Sequence, residues 1–127
     1  MPAAPKPAEA GSAQVRPAVV FDACPVFRDV LASLIASRKA HFSSCERTSD
    51  ARQAFALAAA RPGCLVAVDL DAGAAGLELL QRLKQSAPPC CCVALITDGS
   101  QSELMAAIRM QADGFPSKRE EPEQIIG

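Results

Sequence analysis

The sequence predicts an α/β fold in which a parallel sheet carries helices on both faces. Three observations lead there. Short runs of apolar residues alternate along the chain with stretches of helical periodicity. The run Leu65-Val66-Ala67-Val68 has no polar alternation, as expected of a strand buried on both faces. Three of the runs stop at a residue with chemistry: Asp22, Asp69 and Thr97. Strands of a parallel sheet all end at one edge, where open α/β sheets place their ligands. These three side chains, with Lys118 after a fifth run, are therefore expected to converge.

The elements follow in order. Residues 1–16 are rich in Pro, Ala and Gly without periodicity, which predicts a disordered arm, with the folded domain spanning 17–127. Ala18-Val19-Val20-Phe21 reads as a first strand. Pro25 suits the first turn of a helix whose Val26, Phe27, Val30, Leu31, Leu34 and Ile35 recur at helical spacing. His41 to Cys45 is a weak second strand. A second helix starts near Asp50, with Gln53 completing a capping box, and stops at Arg61-Pro62-Gly63. The central strand and a small-residue loop, Ala72 to Gly76, lead to a third helix with Leu77, Leu79, Leu80 and Leu83 on one stripe. Cys90 to Ile96 is a fourth strand. Ser100 and Glu103 form a capping box for a fourth helix with Leu104, Met105 and Ile108 on its inner face. Asp113 to Ser117 is a short fifth strand or loop, at an edge or a strand end because Pro116 lacks a ladder donor. A fifth helix begins at Glu121-Pro122-Glu123, and the sequence ends after barely one turn of it.

Composition narrows the function classes. The 127 residues suit a single domain built on aliphatic packing, since there is no Trp or Tyr. A formal charge of -1 is no footprint for nucleic acid or an anionic membrane. The longest apolar run is too short to span a bilayer, and the N-terminus lacks a signal-peptide pattern, so a cytoplasmic location is expected. The six cysteines show no CxxC spacing and the chain has one histidine, His41, which argues against a Cys/His metal site. They are expected to be reduced, mostly buried small hydrophobes.

Two carboxylates, a hydroxyl and an ammonium at one edge make a consistent chemical set. Asp22 and Asp69 are hard oxygen ligands suited to Mg²⁺. Asp69 can also attack phosphorus to give an aspartyl phosphate. The Thr97 hydroxyl and Lys118 would then meet the phosphoryl oxygens. Taken singly, each has an ordinary role: a turn carboxylate, a β-branched filler, a solvated lysine. Their joint spacing over an alternating chain is what points to phosphoryl chemistry.

The blocks VVFDACPVFRDVL, VAVDLDAGAAGLELLQRL, VALITDGSQSELMAAIRMQADGF and PSK, running from about Val19 to Ile126, resemble the receiver domains of bacterial two-component response regulators, the CheY-like superfamily. The first and third blocks are most similar to receivers attached to LuxR-type transcription regulators. The resemblance implies a flavodoxin-like three-layer fold with five parallel strands in the order 2-1-3-4-5, its fifth helix incomplete here. It implies that Asp69 accepts a phosphoryl group from a sensor histidine kinase and that Asp22 is one of two acids near Mg²⁺. Asp71 stands where the family supplies a main-chain carbonyl ligand. Thr97 corresponds to the switch hydroxyl, Phe115 to the switch aromatic and Lys118 to the phosphate-contacting lysine. Such a domain assists its own modification and is otherwise no enzyme.

Three features depart from the family. Asp22-Ala23 stands where two adjacent acids are usual, which should weaken Mg²⁺ binding unless the Asp71 side chain compensates. The loop DAGAAG is one residue shorter than RMPGMDG and lacks its proline. Were the chain to end there, the short fifth helix would leave apolar surface bare, a route to a homodimer. The first two favour an alternative: a pseudo-receiver that keeps the fold as a phosphorylation-independent interaction module. A small-molecule enzyme is the remaining reading, but there is no GxGxxG or P-loop, and Gly73-x-x-Gly76 is too short to cradle a nucleotide phosphate. Cys24, beside Asp22, would be the thiol to test in that case. No helix-turn-helix is present, so direct nucleic-acid binding is not expected of this segment.

Overall fold

The structure is a computed structural model, and it describes residues 15–86, 90–96, 105, 108–109, 112–114 and 116–118. Thr97 and Phe115, Ser100 and Glu103, and the start of the fifth helix lie outside the described residues. The elements are β1 (Arg16–Phe21), α1 (Pro25–Ser37), β2 (Phe42–Thr48), α2 (Ala51–Ala59), β3 (Leu65–Asp69), a 3₁₀ turn (Leu70–Ala72), α3 (Ala74–Gln85) and β4 (Cys91–Leu95). The four strands are all parallel, in the order β2-β1-β3-β4. Outside β4, Gly114 and Ser117 form parallel bridges with Val93 and Ile96. This is one of the two positions expected for the segment, beside the last strand of the described sheet. There the Pro116 carbonyl accepts from the Ile96 amide.

The two faces of the sheet are packed by different helices. On one, Val19, Phe21, Val66, Val68, Cys92 and Ala94 meet Ala54 and Ala58 of α2 and Leu79, Leu80 and Leu83 of α3. On the other, Ala18, Val20, Ala67 and Leu95 meet Leu31, Ala32 and Ile35 of α1. The alternation of side chains along each strand sends successive residues to opposite cores, so an uninterrupted apolar run is what two covered faces require. Leu77 packs at the margin of the first core, completing the predicted Leu stripe.

Several boundaries differ from the sequence reading. Arg16, placed in the arm, opens β1; its amide donates to the His41 carbonyl and its Nε to that of Gly63. The strand register shifts between Arg16 and Pro17, where proline offers no donor. Strand β2 runs on through Glu46-Arg47-Thr48, because pairing with β1 up to Phe21↔Thr48 supplies the stabilisation that its polar, edge-strand sequence conceals. Val26 and Val30 share the helical spacing of α1 but are exposed. Met105 and Ile108, expected on an inner face, are about half exposed. All six cysteines are free. Cys64 and Cys92 are fully buried, whereas Cys45, Cys90 and Cys91 are half-buried and Cys24 is exposed, so the expectation of mostly buried thiols was too strong. Burial pushes the Cys64 and Cys92 thiols up to about 12.

The start of α2 is capped by a local network. The Asp50 carboxylate accepts from the amides of Arg52 and Gln53. The reciprocal half of the predicted capping box is replaced. The Thr48 hydroxyl, not Gln53, accepts from the Asp50 amide, and it donates to the Gln53 side chain. Asp50→Ala leaves both helix amides without this acceptor and is expected to cost about 1 kcal/mol in urea unfolding, with an unchanged slope.

Candidate functional site

Register fixes where the acidic residues meet. Phe21 pairs with Val68 across β1 and β3, and Asp69 pairs with Leu95 across β3 and β4. Asp22 and Asp69 are thus side by side at the carboxyl edge. Both are essentially fully buried, at 0% and 1% exposure. Lys118 reaches this edge because its amide donates to the Ile96 carbonyl at 2.7 Å, which docks residues 113–118 on β4.

Around Lys118 Nζ the distances are short: 2.8 Å to Asp69 Oδ1, 2.9 Å to Asp22 Oδ2 and 3.3 Å to Asp71 Oδ2. The ammonium also lies 5.3 Å from the centroid of the Phe27 ring of α1, close enough for a cation–π contact. Backbone amides complete the set. Asp69 Oδ2 accepts from Ala23 N at 3.1 Å, Asp69 Oδ1 from Asp71 N at 2.8 Å, and Asp22 Oδ1 from Cys24 N at 2.8 Å. Asp22 Oδ2 is buried, and the Lys118 ammonium 2.9 Å away is its counter-charge.

The electrostatics follow from burial and crowding. Desolvation raises the Asp22 carboxyl above the ordinary 3.8, with the nearby Asp69 charge adding to it and the Cys24 amide and Lys118 opposing. Burial alone would depress the Lys118 ammonium. Its contacts with Asp69 and Asp22 more than offset this and hold it above 10.5. Three carboxylates around one ammonium leave the pocket formally anionic when all are ionised.

The turn after Asp69 is shaped by two glycines. Gly73 has φ +75°, a left-handed conformation that L side chains rarely adopt, and it leads into α3. Gly76 lies in the first turn of α3, directly on the Asp69 backbone: a Cβ there would stand 2.1 Å from the Asp69 carbonyl oxygen. The absence of a side chain is what lets the helix approach the carboxylate-bearing residue so closely.

No family model matches the chain, and no curated protein matches it. Solved structures do. NtrX from Brucella abortus superposes with a TM-score of 0.76 at 26% identity over 89% of this chain. The chain spans about a quarter (25%) of the length of that NtrX chain. The separate receiver domain of NtrX gives 0.74 at 25% identity, covering 86% of this chain and 91% of that one. The chemotaxis protein CheY4 of Vibrio cholerae gives 0.75 at 17% identity, with 89% and 94% covered. A LuxR-family regulator from Staphylococcus aureus gives 0.76 at 16%, with 88% and 93% covered.

This chain has the fold of a CheY-like receiver domain. The receiver brings together Asp22, Asp69 and Lys118 of the four residues that strand ends predicted to converge. Thr97 and the switch position Phe115 lie outside its described residues. Asp71, expected to contribute a main-chain carbonyl, also directs its carboxylate at Lys118. Three further participants were not legible as such. Ala23 acts through its amide, which any residue but proline could supply. Phe27 looked like one more member of an apolar stripe. Gly76 had a usable signal, since an isolated glycine at the start of a Leu-rich helix costs about 1 kcal/mol against alanine and marks a close approach.

The carboxylate oxygens of Asp22, Asp69 and Asp71 are of the donor class that hard divalent cations take. Among the described residues no three Asp, Glu, His or Cys side chains already converge on a common metal position; the Lys118 ammonium holds the middle. No helix of the described residues is long and apolar enough to cross a membrane.

Proposed function

We propose that the receiver accepts a phosphoryl group on Asp69 from the phosphohistidine of a sensor histidine kinase and thereby changes its partner-binding face. The observation that carries this reading is the buried Asp69 carboxylate at the edge of the central strand, 2.8 Å from the Lys118 ammonium and beside Asp22. An Asp69 oxygen attacks phosphorus while the donor's P–N bond breaks, and the electron pair leaves with the imidazole, which takes up a proton. Lys118 holds its proton throughout and offsets charge on the phosphoryl oxygens. Asp22 and Asp71 would hold Mg²⁺, which when bound would offset the negative charge of the incoming donor. The amide of Ala23 orients Asp69 through Oδ2. In this reading Thr97 and Phe115 carry the switch, and no separate metabolite is turned over.

The test is intact mass after incubation with Mg²⁺ and phosphoramidate. One added phosphoryl per chain is expected, and none in Asp69→Asn. Addition that persists in that variant would remove Asp69 from the reaction.

A second reading, the phosphorylation-independent interaction module, is favoured by one specific feature. Both Asp69 oxygens are already engaged, by Lys118, the Asp71 amide and the Ala23 amide, and the residue is 1% exposed. On that reading the parent chain gains no mass, and beryllofluoride, a phosphoryl mimic, leaves its amide NMR spectrum unchanged.

A further inference from the structure

We infer that Phe27 is a positioning residue for phosphoryl transfer: its ring walls the cleft beside the Lys118 ammonium and keeps that charge aimed at Asp69. The inference rests on the phosphoryl-accepting reading and deepens it, by naming a residue that acts on the reaction through the lysine.

The placement begins with the inner stripe of α1. Phe27, Leu31 and Ile35 follow one another at helical spacing, and Leu31 and Ile35 are fully buried against Ala18, Val20, Ala67 and Leu95. Phe27 lies in the first turn, where the stripe passes the carboxyl edge of the sheet, and it packs against the same core only in part. What the ring meets beyond the core is charge: Lys118 Nζ stands over it, 5.3 Å from the centroid. Val26 and Val30 are 74% and 44% exposed, so Phe27 is the apolar residue opening α1 that turns toward the cleft. The turn that carries it is tied to the site. Pro25 opens the helix, the Arg28 amide donates to the Cys24 carbonyl at 2.9 Å, and the Cys24 amide donates to Asp22 Oδ1 at 2.8 Å.

Ring and carboxylates act on the ammonium differently. Asp69, Asp22 and Asp71 contact it, the ring covers it further, and the lysine side chain is left 12% exposed. An electron-rich ring face attracts a cation without offering it a hydrogen-bond acceptor of its own. Phe27 therefore keeps water from the ammonium while leaving its N–H groups to oxygen partners, first Asp69 and then the phosphoryl group. Excluding water also lowers the local dielectric, which strengthens the pull of the ammonium on charge developing during transfer.

The test is the rate of phosphoryl uptake by Asp69, followed by intact mass with Mg²⁺ and phosphoramidate, in chains carrying progressively fluorinated phenylalanine at position 27. Fluorine drains negative charge from the ring face and nearly preserves its shape, so a side chain that only packs would leave the rate unmoved. The rate is expected to fall stepwise with fluorination, by about five- to tenfold for the fully fluorinated ring, the range of a partly desolvated cation–π contact. Phe27→Leu is expected to lose at least as much, and Phe27→Tyr, which restores the ring, to keep most of the parent's rate. A rate that is indifferent to fluorination, or rises with it, overturns the inference whatever Phe27→Leu does, and leaves the phosphoryl-accepting reading standing. A parent chain that gains no mass overturns that reading, and the role of Phe27 falls with it.

Discussion

Gly76→Ala should unfold or distort the receiver far more than an alanine in a helix normally could. In an exposed helix interior the exchange would gain about 1 kcal/mol, because alanine loses less conformational freedom than glycine. Here the new methyl carbon would sit 2.1 Å from the Asp69 carbonyl oxygen and 3.1 Å from its carbon. Both are backbone atoms at the end of the central strand, so no flexible side chain can swing aside. Either the first turn of α3 lifts from the sheet or the peptide after Asp69 rotates. The first disturbs the packing of Leu79, Leu80 and Leu83; the second breaks the Asp69–Asp71 turn. Overpacking of this kind costs about 3 kcal/mol, enough to exceed the propensity gain severalfold and to lower the melting temperature by about 10 °C. Denaturant unfolding of parent and variant measures it. A variant as stable as the parent would mean that the close approach of α3 to Asp69 does not exist in solution.

Lys118→Met should be the most damaging substitution at the site, and its effect should depend on pH. The ammonium is the side-chain cation contacting both Asp22 and Asp69 among the described residues, and those two are buried. Removing one partner of a buried ion pair leaves uncompensated charge and typically costs 3–5 kcal/mol, so about that is expected near neutrality. Asp22 already has a raised pKa, chiefly from desolvation, so the folded chain holds that proton more tightly than the unfolded chain does. Its contribution to stability is therefore fully present below the ordinary carboxylate value of 3.8 and is lost as pH rises through the raised one. Lys118 is among the groups that lower the Asp22 pKa, so without it this window extends further upward. The deficit of Lys118→Met against the parent should be largest at neutral pH and shrink in mildly acidic solution. For the parent, the ion-pair contribution of Lys118 persists until strongly alkaline pH, because its own pKa is raised above 10.5. Urea titrations across that range measure both. A deficit independent of pH would assign the loss to packing of the lysine stem rather than to charge.

What the sequence disclosed and what it concealed divide along physical lines. Strands β1, β3 and β4 were legible because both faces of the sheet are covered, and continuous apolar runs have few other uses. Strand β2 was read three residues short. Its pairing with β1 is a backbone matter, and side chains such as Glu46 and Arg47 at an open edge show no burial pattern. The same reasoning explains the site. Asp22 and Asp69 could be found because strand ends in a parallel sheet share an edge, whereas the direction of the Asp71 carboxylate depends on one hydrogen bond within a three-residue turn. The outward Val26 and Val30 mark the converse limit. Helical spacing identifies a stripe but cannot say how wide a stripe the sheet will cover.

The outermost segment of the sheet, residues 113–118, is anchored at both ends. At its start the Asp113 carboxylate accepts from the Cys92 amide at 2.8 Å and from Lys84 Nζ at 2.9 Å. At its finish the anchor is Lys118, gripped by carboxylates belonging to strands two and three places further in. One ammonium thus bolts the rim of the sheet to its middle while serving as the counter-charge of the central aspartate. Whatever rearranges charge at Asp69 must, by the same contact, alter the grip on that rim.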